Sequence, residues 1–401
     1  MALYSSNLKT YLVDAVRDIK KRRVEFRLDK VDCVYTSNIR ILNIGVEATG
    51  ASQHYNILLG GLGIIKSIQI LDGKKVLDKL DNFADWVSFK HQLNTNDENR
   101  DINNEMFKNA LGFTHGDINA NKNAIVPEYD NVVIAQNDND NNAVLYLSKY
   151  LNFLKEARIL PTQIFQNLSV IIDYTTDYAN VSTAADINDT VEPVLAVDEI
   201  YNEEQAKALV SQFKEVQWEA IESDMVYLSN VATQPNANYT IKGFDGGKLL
   251  NRLLVQRKPT SVPNSEVGRV GSTAMSQLKE QFVINGRNKL PGFNGIEDNN
   301  ERLGLLIDTF GEINVLPGSN QVSIADSANT HVQTCARLIG NQSYTGLIIG
   351  EKVDELQYQM KRSVATAPAS EANNEHNINF FGEVSKGLMV KGASDYDVVY
   401  L

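Results

Sequence analysis

The sequence predicts an all-β protein with a few helices, arranged as two tandem eight-stranded jelly-roll sandwiches (double jelly roll). Three observations lead there. Short apolar segments alternate with turn signals along most of the chain. One turn motif occurs in both halves. A length of 401 residues is also more than one ordinary core supports, so two domains are expected.

The turn motif is clearest at Gln281–Gly292, Q-F-V-I-N-G-R-N-K-L-P-G. Asn285-Gly286 between strand-like segments signals a hairpin, because a type I′ turn needs positive φ at both central residues. Ile68–Leu77, I-Q-I-L-D-G-K-K-V-L, echoes it with Asp72-Gly73. The four residues Asp72, Gly73, Asn285 and Gly286 are therefore expected at equivalent corners of two sandwiches, with a structural task.

Taken in order, Ser5–Arg23 carries Leu8, Tyr11, Leu12, Ala15, Val16 and Ile19 at i, i+3, i+4 spacing. This predicts an amphipathic N-terminal helix or arm over 1–23. Arg17, Lys20, Lys21, Arg22 and Arg23 crowd its end, where cations suit the helix dipole; they are candidate contacts to an anionic surface. Val24–Gln92 reads as β, with strict alternation at Val24–Leu28. Leu93–Asn142 is rich in Asn and Asp and reads as a long loop. Val144–Arg158 reads as a helix, and Asn167–Tyr174 as a strand closing a first jelly roll over 24–195. A linker with a short helix, Asn202–Phe213, follows over 196–213. Alternation at Val216–Ala220 opens a second jelly roll over 214–401. Its strands include Lys248–Gln256, Gly346–Gly350 and Leu356–Lys361, with a helix at Asn300–Phe310 and a paired strand at the C-terminus. Lys258–Ser272 and Ser363–Asn377 read as loops.

Hydrophobic residues make up 43% and charged residues 22%, ordinary for a globular protein. A net charge of −12 argues against a nucleic-acid binder with a basic face. No apolar run is long enough to span a bilayer, and the amino terminus lacks the apolar core of a secretory signal. Cys33 and Cys335 are the only cysteines and lie far apart, so no disulfide framework is expected.

The chemistry is sparse. Gly60–Ser67 imitates a phosphate loop, but Ile65 replaces the second glycine and a strand follows. Asp138, Asp140 and Asn142 open like a calcium loop, yet Ala143 and Lys149 occupy the required glycine and glutamate positions. The histidines (His54, His91, His115, His331, His376) have no ligand spacing, and no nucleophile motif is present. No catalytic residue, cofactor or metal is expected. A two-sandwich chain without chemistry suits a building block. Three copies would place six similar sandwiches around a three-fold axis, a nearly hexagonal footprint.

Several stretches resemble major capsid proteins of polinton-like viruses and their virophage relatives. They are Gly60–Gly73, Asn104–Thr114, Arg158–Tyr174, Gln281–Ile296 and Leu303–Val315. Their order and spacing carry the likeness, which touches both halves in patches. The resemblance implies a homotrimeric, pseudo-hexameric capsomer in the icosahedral shell of a double-stranded DNA virus. Implied partners are the chain itself, neighbouring capsomers, and penton and minor capsid proteins. It also implies an N-terminal segment on the inner face, where the cations would meet packaged DNA or an internal membrane, and a virion location. Alternatives are a two-sandwich carbohydrate-binding protein or hydrolase, and a minor capsid or spike component.

Overall fold

The computed structural model describes residues 7–47, 53–55, 59–94, 100–108, 133–134, 142–176, 178, 187–229, 236–259, 279–311, 344–361 and 375–401. The first half holds β1 (Leu8–Val13), β2 (Arg17–Ile19), β3 (Arg23–Leu28), β4 (Val34–Thr36), β5 (Arg40–Ile44), β6 (Val46–Glu47), β7 (Gln53–His54), β8 (Ile65–Asp72), β9 (Lys75–Leu80), β10 (Val133–Ile134), β11 (Ala143–Tyr146), β12 (Ile159–Pro161), β13 (Leu168–Tyr174), β14 (Asp189–Thr190) and β15 (Val194–Ile200). Helices α1 (Phe83–Asn94), α2 (Arg100–Phe107) and α3 (Asn152–Ala157) interrupt it, and α4 (Glu203–Gln212) follows. The second half holds β16 (Glu215–Leu228), β17 (Asn236–Ile241), β18 (Lys248–Pro259), β19 (Lys279–Ile284), β20 (Arg287–Asn288), α5 (Asn299–Phe310), β21 (Tyr344–Val353), β22 (Leu356–Lys361), β23 (His376–Gly392) and β24 (Asp395–Tyr400).

The sheets reveal a duplicated plan. Eight strands of the first half, β1, β3, β5, β8, β9, β11, β13 and β15, match β16–β23 one for one. In both sets one sheet runs first–eighth–third–sixth and the other second–seventh–fourth–fifth. That is a jelly roll, used twice. Of the remaining strands, β2 edges β3, β4 and β12 lengthen the β15 sheet, β24 lies along β23, and β6 with β14 and β7 with β10 form separate two-stranded ribbons. Alternation explains the strands. In β3 Val24, Phe26 and Leu28 are buried while Arg27 is exposed, and in β16 Val216, Trp218 and Ala220 face inward between exposed Glu215 and Gln217. Asn202 caps α4, its side chain accepting from Gln205 N–H at 3.0 Å.

One core cluster does not stop at the border between halves. It joins Trp86, Phe89, Phe153 and Phe165 to Trp218, Tyr344, Phe381 and Tyr396, while a second cluster fills the rest of the second sandwich. Trp86 meets Phe381 with centroids 5.4 Å apart, Phe153 meets Trp218 at 5.1 Å, and Phe165 meets Tyr396 at 5.2 Å. Each such buried aromatic contributes roughly 1.5–3 kcal/mol, so the two sandwiches dock as one block.

Five expectations need correction. Of the helix expected over Ser5–Arg23, the described residues form strands instead: Leu8–Val13 pairs residue for residue with Ile200–Leu195, and Arg17–Ile19 pairs with Glu25–Arg23. Tyr11 and Val13 turn toward the core and Leu12 is 66% exposed, so period two wins over the apparent helical stripe. Thr10, Val13, Val16 and Ile19 are β-branched, and β15 satisfies the backbone of Leu8–Val13 while β3 satisfies that of Val16–Ile19. Within Val144–Arg158 the chain is strand through Tyr146, then a 3₁₀ turn at Leu147–Lys149, and only α3 is helical. α1 replaces the β-texture expected before Gln92, and α2 lies in the expected Asx-rich loop. The linker expected from residue 196 is the body of β15, whose Leu195–Ile200 are all buried. Asp138 and Asp140, residues 260–272, residues 363–374 and Cys335 lie outside the described residues.

Candidate functional site

The expected inner-face cations stand on the rim formed by β2 and the turn into β3. Three of the five are engaged within the chain. Lys20 pairs with Asp18 at 2.8 Å and donates to the Thr190 carbonyl at 3.3 Å. Lys21, at φ 60°, donates its Nζ to the Ile187 carbonyl at 2.6 Å. Arg23 Nε meets Asp173 Oδ1 at 2.6 Å, and that hydrogen bond raises its pKa further. Arg17 and Arg22 are exposed and form no ion pair among the described residues. With no helix terminus here, the dipole argument lapses. The cations instead fasten β2 and β3 to β13 and β14.

The two turns occupy the same corner, between the fourth and fifth strands of each jelly roll. Asn285 (φ 50°) and Gly286 (φ 74°) form the two-residue loop between Ile284 and Arg287, as type I′ requires. In the first sandwich Asp72 pairs with Lys75, so the loop is Gly73-Lys74 and only Gly73 (φ 59°) is positive. The echo is shifted by one residue: Asp72 ends the strand instead of making the turn.

Both Asx side chains nevertheless perform the same service. Asp72 Oδ1 accepts from Asn167 N–H at 2.7 Å, the residue before the seventh strand β13. Asn285 Oδ1 accepts from Asp354 N–H at 2.9 Å and Glu355 N–H at 3.2 Å, directly before the seventh strand β22. Asn285 Nδ2 also donates to the Lys352 carbonyl at 2.9 Å. Asp72 does one thing more: its Oδ2 accepts from Tyr396 Oη at 2.8 Å, while Lys75 Nζ donates to the Tyr396 carbonyl at 2.8 Å. Burial, then the Asp72 carboxylate, hold the Tyr396 phenol protonated well above the usual tyrosine range. This corner of the first sandwich thereby grips the last strand of the chain.

Two groups that sequence reading missed lie inside. Glu280 on β19 is fully buried between the sheets of the second sandwich. Arg257 on β18 reaches it at 2.8 Å, Arg302 on α5 at 2.9 Å, Thr345 on β21 at 2.6 Å and Tyr358 on β22 at 3.0 Å. Burial alone would raise its pKa, but the two guanidiniums outweigh burial and hold it below the ordinary glutamate value. Asp78 on β9 lies at the seam, accepting from Phe153 N–H at 2.9 Å and Lys79 N–H at 2.9 Å. Burial pushes its pKa up to about 6 against those donors. Beside it the seam opens into a cavity of about 910 Å³ between α1, α2 and α3 and the strands β16, β18 and β23. Among the described residues no three His, Cys, Asp or Glu side chains come together as a metal site, and no helix is long and apolar enough to cross a membrane.

No family model and no curated protein matches the sequence. Solved structures match along nearly the whole chain. The PBCV-1 virus capsid, as a quasi-atomic model, aligns at TM-score 0.58 and 9% identity, over 98% of this chain and 96% of its own. PBCV-1 VP54, fitted into a reconstruction of the virophage Sputnik, aligns at 0.58 and 9%, over 100% and 99%. The Faustovirus major capsid protein aligns at 0.56 and 7%, over 96% and 90%. At these identities the likeness establishes architecture, and it agrees with the strand order above: the chain is a double jelly roll of the kind found in viral major capsid proteins.

Proposed function

We propose that the chain is a structural major capsid protein: three copies form a pseudo-hexameric capsomer that tiles the icosahedral shell of a double-stranded DNA virus. The observation that carries this is the full-length agreement of a duplicated jelly roll with capsid subunits, joined to a docking seam that makes the two sandwiches one block. A rigid pair of near-equivalent sandwiches is what a three-fold axis needs to approximate six-fold packing. The chain works by assembly, without catalysis, alongside neighbouring capsomers and penton and minor proteins, and its place is the virion.

Arg17 and Arg22, left without acidic partners on the β2 rim, are the residues best placed to meet an anionic interior, whether packaged DNA or lipid headgroups. Light scattering of the purified chain tests the proposal: a mass three times that of one chain is expected, and a stable monomer across the micromolar range would overturn it.

A further inference from the structure

The seam cavity collects cations from four separate elements. Lys90 comes from α1, Lys149 from the turn before α3, Lys155 from α3 and Arg252 from β18. Arg252 has Glu383 at 3.5 Å, and a fifth cation, Lys386, is occupied by Glu222 at 2.9 Å. Lys90, Lys149 and Lys155 form no ion pair among the described residues. Of the acidic groups in the lining, Glu383 faces Arg252, Glu219 accepts from Asn251 at 2.9 Å, and Glu156 is exposed.

Lys90 sits 5.7 Å from the Trp86 ring centroid and Lys149 5.5 Å from that of Phe107, so ring faces stand in for part of their hydration. Desolvation lowers the pKa of both, and for Lys90 the charges of Arg252 and Lys155 lower it further despite Glu383. Like charges gathered beside desolvating walls, with carboxylates too few to neutralise them, are relieved by an incoming anion. One monovalent anion cannot answer three free ammoniums on three elements. A short chain of phosphates can, and Arg252 offers it a planar fork. The cavity's volume lies within the range of small-ligand sites, and a concave pocket between two sandwiches does not admit a duplex.

We propose that this cavity binds a compact polyanion bearing several phosphate groups, held by Lys90, Lys149, Lys155 and Arg252. Because these residues come from both sandwiches, the bound anion ties one to the other. The site is independent of whether the chain builds a shell, and it is measured on the purified full chain. Inorganic tripolyphosphate is the probe, with sulfate at matched ionic strength as the comparison.

Saturating tripolyphosphate should raise the Tm by about 2–4 °C, as a site occupied well above its Kd does, and calorimetric titration should give one site per chain. Sulfate should give no comparable shift. The double variant K90M/K149M removes two desolvated charges and no ion pair, so it should fold and lose the shift, whereas R17Q/R22Q should keep it. Lys155→Gln, a change at an exposed position, should weaken binding about tenfold. The proposal is overturned if tripolyphosphate leaves the native chain's Tm unchanged. It is equally overturned if K90M/K149M shifts as much as the native chain, or if Lys155→Gln binds with unchanged affinity.

Discussion

Replacing Glu280 with glutamine tests the electrostatic joint inside the second sandwich. Glutamine keeps the shape and one acceptor oxygen but removes the carboxylate charge that Arg257 and Arg302, whose side chains are 1% and 0% exposed, both face. Removing one partner of a buried ion pair costs about 3–5 kcal/mol. For a unit of this size that corresponds to a Tm fall on the order of 10 °C. The assay is urea unfolding followed by far-ultraviolet circular dichroism, native chain against E280Q, at pH 7. The pH dependence has a defined sign. Because the folded pKa lies below the unfolded one, this stabilisation is fully present above the ordinary glutamate range and is lost as pH falls through the folded value. The gap between the two proteins should therefore persist at pH 5 and narrow only below about pH 4. A further variant, R257M/E280L/R302M, should recover most of the loss, since a buried triad replaced by apolar groups of similar size is often near neutral. A cost under about 1 kcal/mol for E280Q would refute the view that this carboxylate holds β18, β19 and α5 together.

Three further outcomes are expected. Asp78 has the opposite linkage: its folded pKa of about 6 lies above the ordinary aspartate value, so stability should rise by about 2 kcal/mol as pH falls from 7 to 4. Asp78→Asn should abolish that slope in pH-dependent denaturation, and an unchanged slope would assign it elsewhere. Asn285→Ala loses three side-chain hydrogen bonds at a positive-φ position; it should cost about 2 kcal/mol by thermal unfolding, and a cost below about 0.5 kcal/mol would contradict the clamp. Deleting residues 1–23 uncovers the flank of β15 along all six of its β1 pairs, so the truncated chain should aggregate on expression. Recovery of soluble, assembly-competent protein after that deletion would show that β1 is dispensable.

Strands that alternate against water were legible in the sequence. Val24–Leu28, Val216–Ala220 and the hairpin at Asn285-Gly286 all carry local signals, and so does the C-terminal strand. β1 misled because Leu8, Tyr11, Leu12 and Ala15 fit a helical period, whereas the strand turns Tyr11 and Val13 inward and Leu12 outward, an arrangement set by the partner β15, nearly two hundred residues away. α1 was hidden in F-A-D-W-V-S-F-K-H-Q-L-N, whose bulky residues are buried on several sides of the helix, so no single stripe stands out. Glu280 and Asp78 could not be found because a buried charge looks like any other charge until its partners arrive from distant strands. The one available hint was that Glu280 and Gln281 adjoin the apolar run Phe282–Ile284 in the same strand. For the same reason the amino-terminal cations looked free, although Asp173 and the Thr190 and Ile187 carbonyls occupy three of them.

The first–eighth–third–sixth order has a consequence for how the protein comes into being on the ribosome. In each sandwich the strand that sits between the first and third, β15 or β23, is the last of its eight to be synthesised. Neither sheet can close while its unit is being translated, and β1 must wait, unpaired, until Val194–Ile200 emerges. Pairings this distant in sequence form slowly and leave strand flanks exposed meanwhile. The seam adds a second delay, because Asp72 of the first sandwich waits for Tyr396, 324 residues further along, and Lys75 waits for the same residue. A nascent chain of this design needs shielding from its own copies, and its grip on Tyr396 completes only after the second sandwich has been made.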